Sequence, residues 1–264
     1  MRPVLFDLFG LSVNSYGVSK AAAALVAGFL LVREFRRMGW DEDRAWTLTM
    51  ATTLFGFVGA KAYFLAEHPG NISLHHFGAS GFTWYGGFIA GTSTVLVLAR
   101  RWRLPLVPLA GVLASPLAAA YAIGRVGCFL AGDGTYGRPS DLPWAMAFPN
   151  GAVPTSVPVH PTALYETVAA LALAVALWQL RTRVRPVTLI AVYLLVSGGT
   201  RLLIEELRIN SETWLGLTQP QLWSVLLTIA GVGLLLHGVH HRGRTAMEDA
   251  SAPTPQETGS GQRA

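Results

Sequence analysis

Charge and cysteine are the two things this chain has least of. Only 13% of its 264 residues are Asp, Glu, Lys or Arg, about half of the roughly 25% found in a soluble domain. So little charge does not cover a water-facing surface, and 52% hydrophobic residues with a mean hydropathy of +0.41 mark an integral membrane protein. The single cysteine, Cys128, excludes an internal disulfide, and no CxxC or Cys/His cluster supports structural zinc. His68, His75 and His76 share one loop without acidic partners at ligand spacing, so no metal and no cofactor is expected. The first residues lack a compact basic stretch followed by a small-residue cleavage site, and no removable signal peptide is expected. The formal net charge of +5 gains its meaning from where the charges sit, and it does not indicate nucleic-acid binding.

Apolar stretches long enough to cross a bilayer, at roughly 17–25 residues each, recur at 15–33, 45–66, 82–100, 105–125, 162–181, 186–206 and 220–238. The expected architecture is therefore an all-α integral membrane protein of seven transmembrane helices in one domain, residues 1–242. The polar, Pro/Ser-rich tail at 243–264 reads as disordered. Arg33, Arg36 and Arg37 follow the first span, Arg100, Arg101 and Arg103 the third, Arg181, Arg183 and Arg185 the fifth, and Arg242 and Arg244 the seventh. All follow odd-numbered spans, which predicts an N terminus outside and a C terminus inside. The long Gly/Pro-rich loop at 126–160, with Trp144 and Phe148, then reads as an outer cap in the membrane interface.

That orientation predicts that Tyr16, Lys61, Tyr85, Arg125, His160, Glu166, Arg201 and Glu205 lie near the outer ends of six different helices, at one depth. Ionisable groups inside a membrane are costly unless they pair or line a wet cavity, so a set gathered at one level is a candidate site. Singly, each also fits a belt of snorkelling side chains. Arg201 and Glu205 are spaced i, i+4 on one helix face, and Arg208 extends that face by a turn. The organising stretch is Tyr121 to Arg138, YAIGRVGCFLAGDGTYGR, in which Arg125 ends a run of small and apolar residues among glycines. A guanidinium stays charged and grips an oxyanion through two parallel hydrogen bonds. Glycines allow backbone to approach a ligand closely.

The ordered set AIGRVGCF, FTWYGGFIAG at 82–91, HPTALYE at 160–166 and RLLIEELR at 201–208 resembles the bacterial prolipoprotein diacylglyceryl transferases, as do SVNSYGVS at 12–19 and GAKAYFL at 59–65. The resemblance runs from about residue 12 to 238. It implies an enzyme of the bacterial cytoplasmic membrane, active toward the outer leaflet, that moves the diacylglyceryl group of phosphatidylglycerol to the lipobox cysteine of a preprolipoprotein. A thioether would form and glycerol phosphate would leave.

By this resemblance Arg125, Arg201, Glu205, Tyr85 and Tyr16 are the catalytic set. Arg125, Arg201, Lys61, Gly124, Gly127, Gly137, His160 and Glu166 would bind substrate. Lys61 stands where the family usually has arginine, Tyr85 where it has histidine, Cys128 and Ala131 where it has asparagines, and Asp133 where a longer acid is usual. These departures leave open a paralogue that binds anionic phospholipid without this activity or with another acceptor. A transporter of anionic solutes fits less well, because no broken-helix pair near the midplane is apparent.

Overall fold

A computed structural model describes residues 2–8, 11–68, 81–214 and 216–251. Among the described residues there are seven α-helices: α1 (Ser15–Arg37), α2 (Glu42–Glu67), α3 (Trp84–Arg101), α4 (Leu106–Ala131), α5 (Thr162–Leu180), α6 (Pro186–Glu205) and α7 (Gln219–Ser251). Six of them, all but α3, are long and apolar enough to cross a membrane. Helix α3 has only 18 residues, and Arg100 and Arg101 occupy its last turn. Helix α7 continues past the boundary at residue 242 that composition suggests, and residues 252–264 lie outside the described residues.

The chain is not helical alone. Three antiparallel hairpins accompany the helices: β1 (Val4–Leu8) with β2 (Leu11–Asn14), β3 (Met146–Phe148) with β4 (Thr155–Val159), and β5 (Glu212–Trp214) with β6 (Leu217–Thr218). All three connect to the same ends of the helices. Their strands have two to five residues each, too short for a period-two pattern to be visible in the sequence.

Helix α4 is the centre of the bundle and packs on α1, α5 and α6. Its sequence explains why. Gly111, Ala114, Ser115, Ala118, Ala119, Ala122, Gly124 and Gly127 are all buried, and small residues let helix backbones approach closely where lipid supplies no hydrophobic drive. Pro116 gives up a backbone donor inside α4, and the neighbouring Ser115 hydroxyl donates to the Ala174 carbonyl of α5 at 3.1 Å. The helix stops at Gly132, whose left-handed backbone (φ 58°) returns its N–H to the Cys128 carbonyl.

Two apolar clusters hold the bundle. One joins Leu31 and Phe35 of α1, Leu48 of α2, Ala99 of α3 and Leu109 and Val112 of α4; the other joins α4, α5 and α6 through Ala118, Leu173, Leu177 and Leu189. Helices α2 and α3 meet backbone to backbone, because a Cβ at Gly86 would lie 2.2 Å from the Gly59 carbonyl oxygen. Large apolar side chains such as Leu54, Phe55, Val97, Val168, Leu203 and Ile229 point outward, as a lipid-facing surface requires.

The ends of α1 and α5 are clamped by a buried acid. Glu34, 2% exposed, accepts from Arg37 at 2.6 Å and pairs with Arg181 at 3.1 Å, while Arg181 also lies over the Trp178 ring at 3.6 Å. Removing one partner of such a buried pair leaves the others unneutralised, at a cost of about 3–5 kcal/mol. Glu34→Ala is expected to lower the thermal unfolding temperature of the purified protein by several degrees. An unchanged melting curve in a thiol-reactive dye assay would show that the clamp contributes nothing.

Candidate functional site

The site lies at the helix ends remote from this clamp. Its centre is Glu166, in the second turn of α5 and 3% exposed. The Tyr121 hydroxyl of α4 donates to Glu166 Oε2 at 2.7 Å, and Arg125 of α4 pairs with the same oxygen. Arg201 of α6 holds Oε1, which Arg208 also approaches at 3.4 Å. One carboxylate therefore gathers three guanidiniums and a phenol from two other helices and the segment after α6. Arg125 and Tyr121 reach it together because they are spaced i, i+4, and Arg125 Nε lies 3.1 Å from the Tyr121 oxygen.

Glu205 forms the second acidic pole. It pairs with Arg201 at 2.8 Å and approaches Arg208 at 3.7 Å. The Asn210 amide donates to its Oε1 at 2.5 Å and the Thr218 hydroxyl at 2.9 Å. The β5–β6 hairpin thus fastens the end of α6. Three guanidiniums face two carboxylates here, which leaves one positive charge in excess. Arg208 lies outside the spans, and burial, with Arg201 and Arg125 as like charges, pulls its pKa below the ordinary value against Glu166 and Glu205. Its Nε is buried and faces Glu205 Oε2 at 3.7 Å, beyond hydrogen-bond distance. Three converging guanidiniums with one positive charge in excess of their paired carboxylates suit an anion.

The segment between α4 and α5 is laid over this cluster. Gly137 N donates to the His160 carbonyl and Arg138 N to the Leu207 carbonyl, each at 2.8 Å, and Gly137 pairs with Arg208 across an antiparallel bridge. Only glycine fits this crossing, since a Cβ at position 137 would stand 2.4 Å from Leu207 O. The Thr162 hydroxyl donates to Thr135 O at 2.5 Å, and Tyr136 stacks on Phe148 with centroids 5.0 Å apart. Trp144 donates to the Tyr165 hydroxyl at 2.8 Å, and His160 Nδ1 lies 3.3 Å from the same oxygen. Beside them, Trp144, Met146, Leu164 and Val168 line an apolar groove of about 670 Å³.

The sequence-derived candidates divide into groups. Arg125, Glu166, Arg201 and Glu205 are in direct contact. His160 and Gly137 belong to the segment that covers them. Gly127 is a packing glycine against Ser19 of α1, where a Cβ would lie 2.6 Å from Ser19 Cβ. Tyr16, at the start of α1, sits beside the same α4 surface with the Lys20 ammonium over its ring, and that ammonium borders Gly124. Lys61 and Tyr85 stand on the α2–α3 pair. The Lys61 ammonium lies 4.3 Å from the centroid of the Phe82 ring, and Tyr85 lies against Tyr63 and Trp84. His75 and His76 lie outside the described residues; among those described, no cluster of three or more His, Cys, Asp or Glu is arranged to hold a metal.

Sequence reasoning left Tyr121, Asn210 and Thr218 without a role and gave Arg208 only a place on a helix face. The i, i+4 spacing to Arg125 is a readable signal for Tyr121. Asn210 and Thr218 carry no such signal, because the segment after α6 and the β5–β6 hairpin, not a helix, bring them to Glu205.

Comparison with known proteins agrees with the geometry. The phosphatidylglycerol–prolipoprotein diacylglyceryl transferase of Clostridium tetani is 31% identical over 215 residues, covering 79% of this chain and 86% of the relative. The enzyme so named with the suffix 2 in Clostridium perfringens is 27% identical over 249 residues, covering 91% and 96% respectively, and that of a Marinomonas strain is 28% identical over 257 residues, covering 90% and 93%. A family model described as prolipoprotein diacylglyceryl transferase matches residues 3–237, and the chain therefore belongs to that family.

Proposed function

We propose that this protein transfers the diacylglyceryl group of phosphatidylglycerol to the lipobox cysteine of preprolipoproteins, and that the cluster around Glu166 binds the lipid phosphate and stabilises its departure. The observation that carries this reading is the convergence of three guanidiniums, with one positive charge in excess of their paired carboxylates, at one end of a membrane bundle. The phosphate of phosphatidylglycerol is a diester with one negative charge. As the thiolate sulfur forms its bond to the glyceryl carbon, the carbon–oxygen bond breaks and the departing glycerol phosphate gains a second negative charge. Fixed guanidiniums in a water-poor setting favour that change more than they favour the bound diester.

Glu166 fixes Arg125 and Arg201 in place before a ligand arrives, and Glu205 holds the other terminal nitrogen of Arg201. Glu205 is buried and fully occupied by Arg201, Asn210 and Thr218, which suits a positioning group and not a base. Tyr85 replaces the family histidine with a hydrogen-bond donor. The apolar groove beside α5 offers room for an acyl chain within one turn of Glu166. Phosphatidylglycerol, the lipobox segment and the bilayer are the partners this scheme needs; no cofactor enters it.

The same reading assigns orientation. Arg33, Arg36, Arg37, Arg100, Arg101, Arg103, Arg181, Arg183 and Arg185 cluster at the helix ends opposite the site. By the positive-inside rule that end is cytoplasmic, and the site with its covering segment faces outward in the bacterial inner membrane. In a Cys128→Ala background, an impermeant maleimide added to intact cells is expected to label a cysteine at Ser140 and to miss one at Ser251. The reverse pattern would put the cluster on the wrong leaflet and end this reading.

The direct test is transfer from labelled phosphatidylglycerol to a lipobox peptide. Arg125→Lys keeps the charge but loses the planar fork, and turnover is expected to fall about 100-fold or more with normal membrane insertion. Wild-type-like turnover in Arg125→Lys would remove this residue from the mechanism. A wild-type protein that retains phosphatidylglycerol yet transfers nothing would be a lipid-binding relative.

A further inference from the structure

Lys20 lies five residues into α1, about 7.5 Å below the helix start at roughly 1.5 Å per residue. A lysine at that depth is costly unless its charge meets water or an anion. Snorkelling along its own helix is the ordinary solution, but here the ammonium is turned sideways. It sits 4.9 Å from the centroid of the Tyr16 ring, one turn earlier, and 3.4 Å from where a Cβ at Gly124 of α4 would stand. Among the described residues no carboxylate pairs with it, unlike Arg125, Arg201 and Arg208.

The nearby positions on α1 and α4 are glycines. Gly17, three residues earlier on the same face of α1, would meet nothing within 4 Å if it carried a Cβ. Gly124 bears no side chain at all, and the residue after it is Arg125. An uncompensated cation held by an aromatic ring thus borders open room on the α1 side of α4, while the guanidinium cluster occupies the α5 and α6 side. Glu166 and Glu205 already take many of the donors in that cluster, whereas the three N–H donors of Lys20 have no oxygen partner among the described residues.

We propose that Lys20, aimed by the Tyr16 ring, is a second contact for the phosphate of the anionic lipid donor, made from α1, and that it sets where this lipid stops against Arg125. This gives Tyr16 a role through its ring face, as the support of a cation. The proposal rests on the transferase reading for the identity of the donor. The contact itself does not require turnover.

The test uses the full-length protein in nanodiscs with graded phosphatidylglycerol in phosphatidylcholine. Phosphatidylglycerol retention is read by native mass spectrometry, and transfer to a lipobox peptide is read separately. Lys20→Met keeps the apolar stem and is expected to weaken retention and raise KM for phosphatidylglycerol about tenfold, with kcat within about twofold. Lys20→Arg should restore both. Tyr16→Leu should weaken retention as well, and adding Lys20→Met to it should change little more, since the two act as one unit.

Unchanged retention in Lys20→Met, or losses that simply multiply in the double variant, would overturn the proposal. Lys20 dependence confined to added soluble glycerol 1-phosphate would overturn its assignment to the lipid. Retention that depends on Lys20 in a protein without transferase activity would support the contact while overturning the transferase reading. An active wild type indifferent to Lys20→Met would do the opposite.

Discussion

Three guanidiniums crowded at one end of an apolar bundle repel one another, and a single buried carboxylate, Glu166, is what lets them stay. It takes Arg125 on one oxygen and Arg201 on the other, with Arg208 at 3.4 Å. Full neutralisation would make this a structural salt bridge and nothing more. Glu205 is the other acid ion-paired with these arginines among the described residues, so within the ion-paired set one positive charge is left over. That imbalance is what the proposed anion site rests on, because the cost of the excess charge would fall if a phosphate bound there.

The rest of the bundle is arranged so that this pairing occurs. Small residues along α4 draw α1, α5 and α6 close enough for side chains of modest length to meet. Gly132 ends α4 and turns the chain into the covering segment, and Gly137 lets that segment pass within van der Waals reach of Leu207. The β5–β6 hairpin brings Thr218 to Glu205 and so fixes the rotation of Arg201. Glu34 with Arg37 and Arg181 ties the opposite ends of α1 and α5. The two acidic hubs hold the bundle at both ends; the one at Glu166 differs in gathering three guanidiniums from α4, α6 and the segment after α6.

Much of this was readable from the chain. Hydropathy located all seven helices, since lipid and backbone hydrogen bonding together permit little else, but α4 runs six residues past its expected end at 125 and α7 runs to Ser251 instead of 238. Arg125, Glu166, Arg201 and Glu205 stood out because buried charge in an apolar segment needs a reason. What stayed hidden depends on contacts between distant segments. The strands of the hairpins were too short to show a period. Glu166 reads in the sequence as one ligand among several, while in the fold three arginines converge on it. Tyr16 and Tyr85 look equivalent as aromatic candidates, yet one lies against α4 with Lys20 over its ring and the other faces Tyr63 across the α2–α3 contact. Short polar segments such as Asn210 and Thr218 carry no pattern that points to Glu205.

The central claim is that Glu166 assembles the guanidiniums into a catalytic anion site, so the most direct measurement is on Glu166→Gln. Glutamine keeps the shape and can still accept from one arginine, but it removes the charge that holds three. The account predicts that diacylglyceryl transfer from phosphatidylglycerol falls by about 100-fold or more, with the protein still inserted in the membrane. Turnover within a few-fold of wild type in Glu166→Gln would contradict it, because the arginines would then need no buried carboxylate to do their work.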